Sequence, residues 1–164
     1  MRTLWVPVMI RASEKCDSEG VAAMQQRCKI GKAAFRAARE MLGLTQSDVA
    51  EAADVTVKAV KFWERPDGPE PPEDVVTWLE ECLQMQKDVV EAGVSAAVAS
   101  TPPHGAVRIT YYRTQEQYDR CGSSPGPVGM ANANARFTAA RLEWLGYEVG
   151  FAYPDDEGNV CHAG

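Results

Sequence analysis

Apolar residues between positions 32 and 66 recur at the spacing of three short amphipathic helices. The expected inner face of the first helix consists of Phe35, Ala38, Met41 and Leu42. Gly43 ends this helix, and Thr45 with Asp48 three residues later predicts a capping box at the start of the second. Thr56 is in the position of an N-cap for the third helix. The expected inner faces of the second and third helices consist of Val49, Ala50, Ala53, Val60 and Trp63.

A longer amphipathic segment follows residues 66–72, where the density of prolines excludes a helix. Glu73 and Asp74 suit the positive N-terminal end of a fourth helix, which we expect to run to about Glu91. Its expected inner face consists of Val75, Trp78, Leu79, Cys82 and Val89. Residues 99–105 contain two further prolines and a glycine, a composition typical of an interdomain linker.

Beyond residue 105 the pattern changes to one of mixed strands and helices. β-Branched and aromatic residues alternate in part over 107–113 and again over 147–153, which predicts two strands. Between them we expect a short helix over 114–120, a loop rich in Gly, Ser and Pro over 121–129, and a longer helix over 132–145. Gly146 is suited to end the longer helix. The expected inner face of that helix consists of Ala133, Phe137, Ala140 and Trp144.

The composition is that of a soluble globular protein, with 45% hydrophobic and 24% charged residues. The apolar run over residues 4–10 is too short for a membrane span of about 20 residues and lacks the features of a signal peptide. We therefore expect a cytoplasmic protein with no membrane partner. The net charge of −6 is unevenly distributed, because residues 1–66 carry 11 Lys and Arg against 8 Asp and Glu, whereas residues 67–164 carry 6 against 15. This asymmetry favours a nucleic-acid-binding domain joined to a second, acidic domain.

The sequence predicts no metal, cofactor or catalytic site. Its five cysteines and two histidines include no C-x-x-C pair and lack the close spacing that a zinc site needs. We expect the cysteines to be reduced thiols. The motifs G-x-S-x-G and H-E-x-x-H and the Walker loop are absent, which predicts that the chain is not an enzyme.

The most specific motif in the chain lies over residues 42–56 and 60–64. These segments read Leu-Gly-Leu-Thr-Gln-Ser-Asp-Val-Ala-Glu-Ala-Ala-Asp-Val-Thr and Val-Lys-Phe-Trp-Glu. They closely resemble the Xre-like, or phage-repressor-like, helix-turn-helix family, and the resemblance covers roughly residues 32–80. Asp54 and Arg65 stand where the family often has glycine, but both lie in turns, and Asp tolerates the left-handed conformation.

The order of motifs along the chain also resembles that of the anti-CRISPR-associated autorepressors and their YdiL-like relatives. This resemblance rests on Phe-Trp-Glu at 62–64, Pro-Glu-Asp-Val at 72–75 and the strand residues 107–112, while the N-terminal arm departs from it. Together the two resemblances imply a dimeric, sequence-specific transcriptional repressor that binds an inverted-repeat operator in double-stranded DNA. They also imply autoregulation and an origin in a phage or mobile element.

These elements predict an α+β protein with an N-terminal all-α helix-turn-helix domain followed by a small strand-helix-helix-strand dimerisation domain. The expected division is an arm over 1–29, a helix-turn-helix domain with a long fourth helix over 30–98, a linker over 99–105 and the dimerisation domain over 106–164. Because an isolated pair of strands is only marginally stable in water, we expect the sheet to extend across a homodimer.

In a helix-turn-helix the second helix of the pair enters the major groove with its N-terminal end first. Carried over by position, the DNA-contacting residues are Gln46, Thr56, Val57, Lys58, Lys61 and Phe62. The chemistry agrees, since Lys58 can donate to guanine O6 and N7 and Val57 can pack on a thymine methyl group. Arg36 is a further candidate for a phosphate contact, whereas we expect Arg39 only to solubilise its helix.

Other functions stay open on the sequence alone. The acidic rear half could capture a basic protein, as an antitoxin-like or adaptor module would. The C-terminal unit could bind a small molecule, as in a ligand-sensing regulator. RNA could also bind the surface predicted to bind DNA.

Overall fold

The computed structural model describes residues 31–156. The helices of this part of the chain are α1 (Lys32–Met41), α2 (Gln46–Ala52), α3 (Val57–Trp63), α4 (Glu73–Ser100), α5 (Gln115–Cys121) and α6 (Val128–Trp144). Its strands are β1 (Ala106–Thr110) and β2 (Glu148–Ala152), which pair in parallel. The predicted α+β class is confirmed. The arm expected at residues 1–29 lies outside the described residues.

Helices α1 to α3 and the first half of α4 enclose the first hydrophobic core. Its fully buried side chains include Phe35, Leu42, Val49, Val60, Leu79 and Cys82. The rings of Phe35 and Trp63 meet edge to face, with their centroids 6.2 Å apart and their planes at 86°. The inner faces predicted for α2 and α3 are confirmed by this packing.

Helix α1 carries a charged residue on its buried face. Met41, predicted to face the core, is 48% exposed, while Arg39, predicted only to solubilise the helix, is buried. At about 100° per residue, Arg39 lies about 40° from Phe35 around the helix, whereas Met41 lies about 120° away. Both predictions are wrong because the angular position of a side chain, rather than its hydrophobicity, decides which face it occupies.

Helix α4 is longer than predicted. It runs for 28 residues to Ser100 instead of ending near Glu91, because no proline interrupts it before Pro102. The prediction that Val89 is buried is wrong: its neighbour Val90 is buried, and Val89 faces outward. The second half of α4 packs against α6, so the two cores share one continuous helix.

The second core lies between the sheet, α6 and the second half of α4. Its buried residues are Val90, Val94 and Leu142, against which Ala97, Val107, Ile109, Tyr147 and Val149 pack. The strands pair from Ala106 opposite Glu148 to Thr110 opposite Ala152, so each is shorter than predicted. Their parallel pairing requires the long connection through α5 and α6.

The inner face predicted for α6 is wrong for its two aromatic residues. Phe137 is 37% exposed and Trp144 is 86% exposed. The helix also begins at Val128, within the segment predicted to be a loop. Its buried residues are Asn132, Ala133, Ala135, Ala139 and Leu142. This face consists mainly of small residues, which let α6 lie close to its neighbours and leave the aromatic rings on another side.

A close backbone contact joins the turn between α1 and α2 to the start of α6. Gly43 has a φ of +70°, and a Cβ atom on Gly129 would overlap the carbonyl oxygen of Gly43. Nearby, Nε2 of Gln86 donates to the carbonyl of Met41 (3.2 Å) and to Oδ1 of Asn134 (3.1 Å). The two cores are therefore joined by this contact as well as by α4, and the predicted division into domains stays a prediction.

The two cysteines within the described residues differ in state. Cys82 is a free thiol in the first core, and burial raises its pKa to about 11. Cys121 is disulfide-bonded, so the expectation of reduced thiols is wrong for this residue.

Residues 31–156 contain neither a metal-binding cluster nor a membrane-spanning helix. No group of three or more His, Cys, Asp and Glu side chains in this range is arranged to hold a metal ion. None of the helices in the same range is both long enough and apolar enough to span a membrane.

Candidate nucleic-acid interface

Side-chain caps fix the starts of α2 and α3. Oγ1 of Thr45 accepts a hydrogen bond from the amide of Asp48 (3.1 Å), and Oδ2 of Asp48 accepts one from the amide of Thr45 (2.7 Å). This reciprocal pair is the predicted capping box. Oγ1 of Thr56 accepts from the amide of Ala59 (3.3 Å), which confirms the predicted cap of α3. In the turn between the helices, Asp54 adopts a φ of +52°, the left-handed conformation that Asp tolerates.

Helix α3 buries one face and exposes the other. Val60 and Trp63 pack in the first core. The exposed face carries Val57, Lys58, Lys61 and Phe62. Within residues 31–156, neither Lys58 nor Lys61 has an ion-pair or hydrogen-bond partner for its ammonium group. Two unpaired cations on an exposed helix face are available to an anionic ligand.

A cleft of about 490 Å³, which we call the basic cleft, lies beside α3. Its lining residues are Arg36, Gln46, Lys58, Lys61, Phe62, Glu64 and Arg65. The cleft brings together all the predicted site residues except Thr56 and Val57, which lie at the N-terminal end of α3. Four cations line it against one carboxylate, so the cleft attracts anions.

That carboxylate belongs to Glu64 and is neutralised by Arg39. Nε of Arg39 donates to Oε1 of Glu64, and Nη2 donates to Oε2 at 3.2 Å. Nε2 of Gln46 donates to the same Oε2 at 2.8 Å. The side chains of Arg39 and Glu64 are both less than a tenth exposed. Sequence reasoning missed this pair, although the position of Arg39 close to the buried face of α1 was a signal that could have found it, because a buried charge needs a partner.

Arg36 lies at the edge of the basic cleft and is already engaged. Its Nε donates to Oε1 of Glu40 at 2.8 Å, and both side chains are more than half exposed. This hydrogen bond is the main cause that raises the pKa of Arg36 and lowers the pKa of Glu40. To contact a phosphate, the guanidinium of Arg36 must therefore either bind it in addition to Glu40 or give up its hydrogen bond to Glu40.

Arg65 is a cleft residue that sequence reasoning considered only as a departure from the family pattern. Its guanidinium carbon lies 5.3 Å from the centroid of the Phe62 ring. Its Nη2 lies 2.8 Å from Oδ2 of Asp67, and the hydrogen bond from Arg65 lowers the pKa of Asp67. Arg65 thus adds a cation to the cleft and covers part of the exposed ring.

The segment that forms the cleft matches a known protein family. Residues 35–76 match the family model described as Helix-turn-helix. A comparison of the chain with the curated proteins finds no match. The matched segment runs from α1 into the first turn of α4 and includes every residue that lines the basic cleft. This match supports a DNA-binding transcription regulator in which residues 35–76 form a helix-turn-helix of the Xre-like, phage-repressor-like type.

Proposed function

We propose that the chain is a dimeric, sequence-specific repressor that binds an inverted-repeat operator in double-stranded DNA. The observation that carries the proposal is that Lys58 and Lys61, on the exposed face of α3 and lining the basic cleft, have no ion-pair partner among residues 31–156. An inverted repeat matches the two-fold symmetry of a dimer. Autoregulation and a phage or mobile-element origin are parts of the proposal that rest on the two family resemblances, and cytoplasmic location is a further part that rests on the proposed binding to DNA.

The N-terminal end of α3 reads the bases in this proposal. Lys58 donates to O6 and N7 of a guanine, and Val57 packs on a thymine methyl group. Val57 is apolar and yet 36% exposed, as expected for a side chain that becomes covered when DNA binds. Base reading by these two residues gives the specificity.

Residues around α3 hold the phosphates. The hydroxyl of Thr56 accepts from the amide of Ala59 and keeps its own hydrogen to donate. Nε2 of Gln46 has two hydrogens. It donates one of them to Glu64, and the other is left to donate to a phosphate. Lys61 lies one turn along α3 and contributes a further charge to the backbone. Since these contacts are electrostatic, affinity falls steeply as the salt concentration rises.

The two remaining predicted contacts lie on either side of the cleft. Arg36 reaches a phosphate from α1 by sharing its guanidinium with Glu40. Phe62 is 41% exposed under the guanidinium of Arg65, and we assign it to apolar packing against the sugar–phosphate backbone.

Fluorescence anisotropy tests the proposed function. The purified chain is titrated into labelled duplex from immediately upstream of its own gene, at several salt concentrations, beside a scrambled duplex of equal length. We expect tight binding to the upstream duplex only, with two chains per duplex. Equal and weak binding to both duplexes would contradict the repressor proposal.

A further inference from the structure

The outward face of α4 carries an apolar repeat that no other described residue covers. Its members are Met85, Val89, Ala92, Ala96 and Ala99, all of them exposed, and we call them the α4 seam. Successive members are spaced by four, three, four and three residues, the spacing at which two helices interlock side chains. Upstream the same spacing continues through Cys82, Trp78 and Val75, which pack in the first core. The stripe that anchors α4 in the core therefore continues into solvent.

We infer that the α4 seam binds the α4 seam of a second copy of this chain, with the two helices antiparallel. A two-fold axis that passes between Val90 and Glu91 sets Met85 opposite Ala96 of the second copy and Val89 opposite Ala92. Every larger side chain then meets a small one, so the helices approach closely without voids. A parallel pair would set Met85 against Met85 and Ala96 against Ala96, crowding one end and leaving the other empty.

The charges of α4 favour the same orientation. Its acidic side chains are Glu73, Asp74, Glu80, Glu81, Asp88 and Glu91, while residues 92–100 carry no charged side chain. A parallel pair would set residues 73–91 of one α4, which carry six acidic side chains and one lysine, alongside the same residues of the other, where like charges repel. In the antiparallel pair, Asp88 lies beside the uncharged end of the second helix.

The antiparallel seam also sets the separation of the two DNA-binding units. The axis passes between Val90 and Glu91. Leu79 is fully buried in the first core and lies about eleven to twelve residues from this axis. At a rise of 1.5 Å per residue the two copies of Leu79 are about 34 Å apart along the helices. This equals one turn of duplex DNA, the separation at which two recognition helices reach successive major grooves on the same side.

The choice of a second copy as the occupant rests on the proposed function, which requires a dimer. It assigns dimerisation to α4 and not to the sheet extension expected from the sequence. The exposed Trp144 of α6, in the C-terminal unit, is the competing surface.

Sedimentation velocity on the full chain tests the assignment. Val89 and Val98 lie on the same helix and are 48% and 42% exposed, but only Val89 belongs to the seam. We expect V98E to dimerise like the wild-type chain and V89E to raise the dimer dissociation constant about a hundredfold or more, because a symmetric interface would bury two unpaired carboxylates. Circular dichroism checks that V89E keeps its fold, since glutamate suits an exposed helix position. A wild-type chain that is monomeric, or a V89E variant that dimerises normally while W144E does not, would overturn the inference.

Cross-linking tests the orientation. A mixture of M85C and A96C chains is expected to form a disulfide between copies above the wild-type background, whereas M85C alone is not. Cross-linking of M85C alone would overturn the antiparallel arrangement.

Failure of the proposed function can be distinguished from failure of this inference. A dimer that depends on the seam but binds no DNA supports the inference and refutes the repressor proposal. A V89E variant that still binds the operator as an intact dimer refutes the inference and supports the repressor proposal.

Discussion

Arg39 and Glu64 are 25 residues apart in the sequence and form a two-point ion pair with both side chains buried. Arg39 also donates from Nη1 to the carbonyl of Leu44 at 2.8 Å, and Glu64 also accepts from Gln46. The pair therefore ties α1 to the start of α2 and to the end of α3. These contacts hold the walls of the basic cleft in their relative positions.

Removal of Arg39 is expected to destabilise the protein strongly. R39M leaves the carboxylate of Glu64 buried without its counter-charge, at a cost of about 3–5 kcal/mol in the free energy of unfolding. R36M is the matched control, because Arg36 lies on the same helix but forms an exposed ion pair, and we expect it to unfold like the wild-type chain. Urea denaturation measures both. Similar stabilities for the two variants would refute a structural role for the buried pair.

Lys58 is expected to determine a base in the operator. K58A should lose about 1–3 kcal/mol of discrimination at one guanine while still binding DNA. K61A should weaken binding to all sequences alike and reduce the salt slope by about one. K87A removes the same charge from the exposed surface of α4 and serves as the control. Anisotropy with single-base operator variants measures these effects, and identical profiles for K58A and K87A would show that α3 does not read bases.

The contact between Gly43 and Gly129 is expected to tolerate no side chain. G129A sets a methyl group against the carbonyl oxygen of Gly43, and we expect the strain to lower stability by about 1–3 kcal/mol. G150A is the control, because a Cβ on Gly150 meets no atom within 4 Å. Thermal unfolding compares the two variants. If G129A melts at the wild-type temperature, the two cores are not joined as described.

Stability is expected to fall at alkaline pH because of Cys82. Its pKa is raised from 9.0 to about 11 in the folded chain, chiefly by burial, so the folded state holds a proton that the unfolded state releases above pH 9. Between pH 9 and pH 11 this difference lowers the free energy of unfolding progressively as the pH rises.

The C82A variant isolates this contribution. Other groups titrate in the same range, but they are common to both chains. Urea denaturation at a series of pH values should therefore give a shallower decline for C82A than for the wild-type chain. Parallel declines would mean that the Cys82 thiol does not contribute.

The local features of the helix-turn-helix could be predicted from the sequence. The caps at Thr45 and Thr56 depend only on residues three positions away, and Val60 and Trp63 follow the helical period. The cleft residues Arg36, Lys58 and Lys61 were also identified, because they lie on the solvent side of those same helices.

Long-range features could not be predicted in this way. The position of Arg39 near the buried face of α1 can be read from the helical period, but its partner Glu64 lies 25 residues away and only the folded chain brings the two together. The exposure of Trp144 depends on which side of α6 faces α4 and the sheet, and small alanines rather than aromatic rings occupy that side. The second half of α4 was missed because it packs against α6, which lies far from it in the sequence.

Selection from a library of random duplexes tests the central claim, that α3 and the basic cleft read an inverted repeat, without assuming which gene is regulated. The full chain is incubated with the library at moderate salt, and bound duplexes are amplified and sequenced over several rounds. We predict that the wild-type chain enriches one inverted repeat with half-site centres about 10 base pairs apart. We also predict that the K58A variant no longer prefers guanine at one position of this repeat. Enrichment of no sequence, or of the same sequence with the same preferences for K58A, would contradict the account.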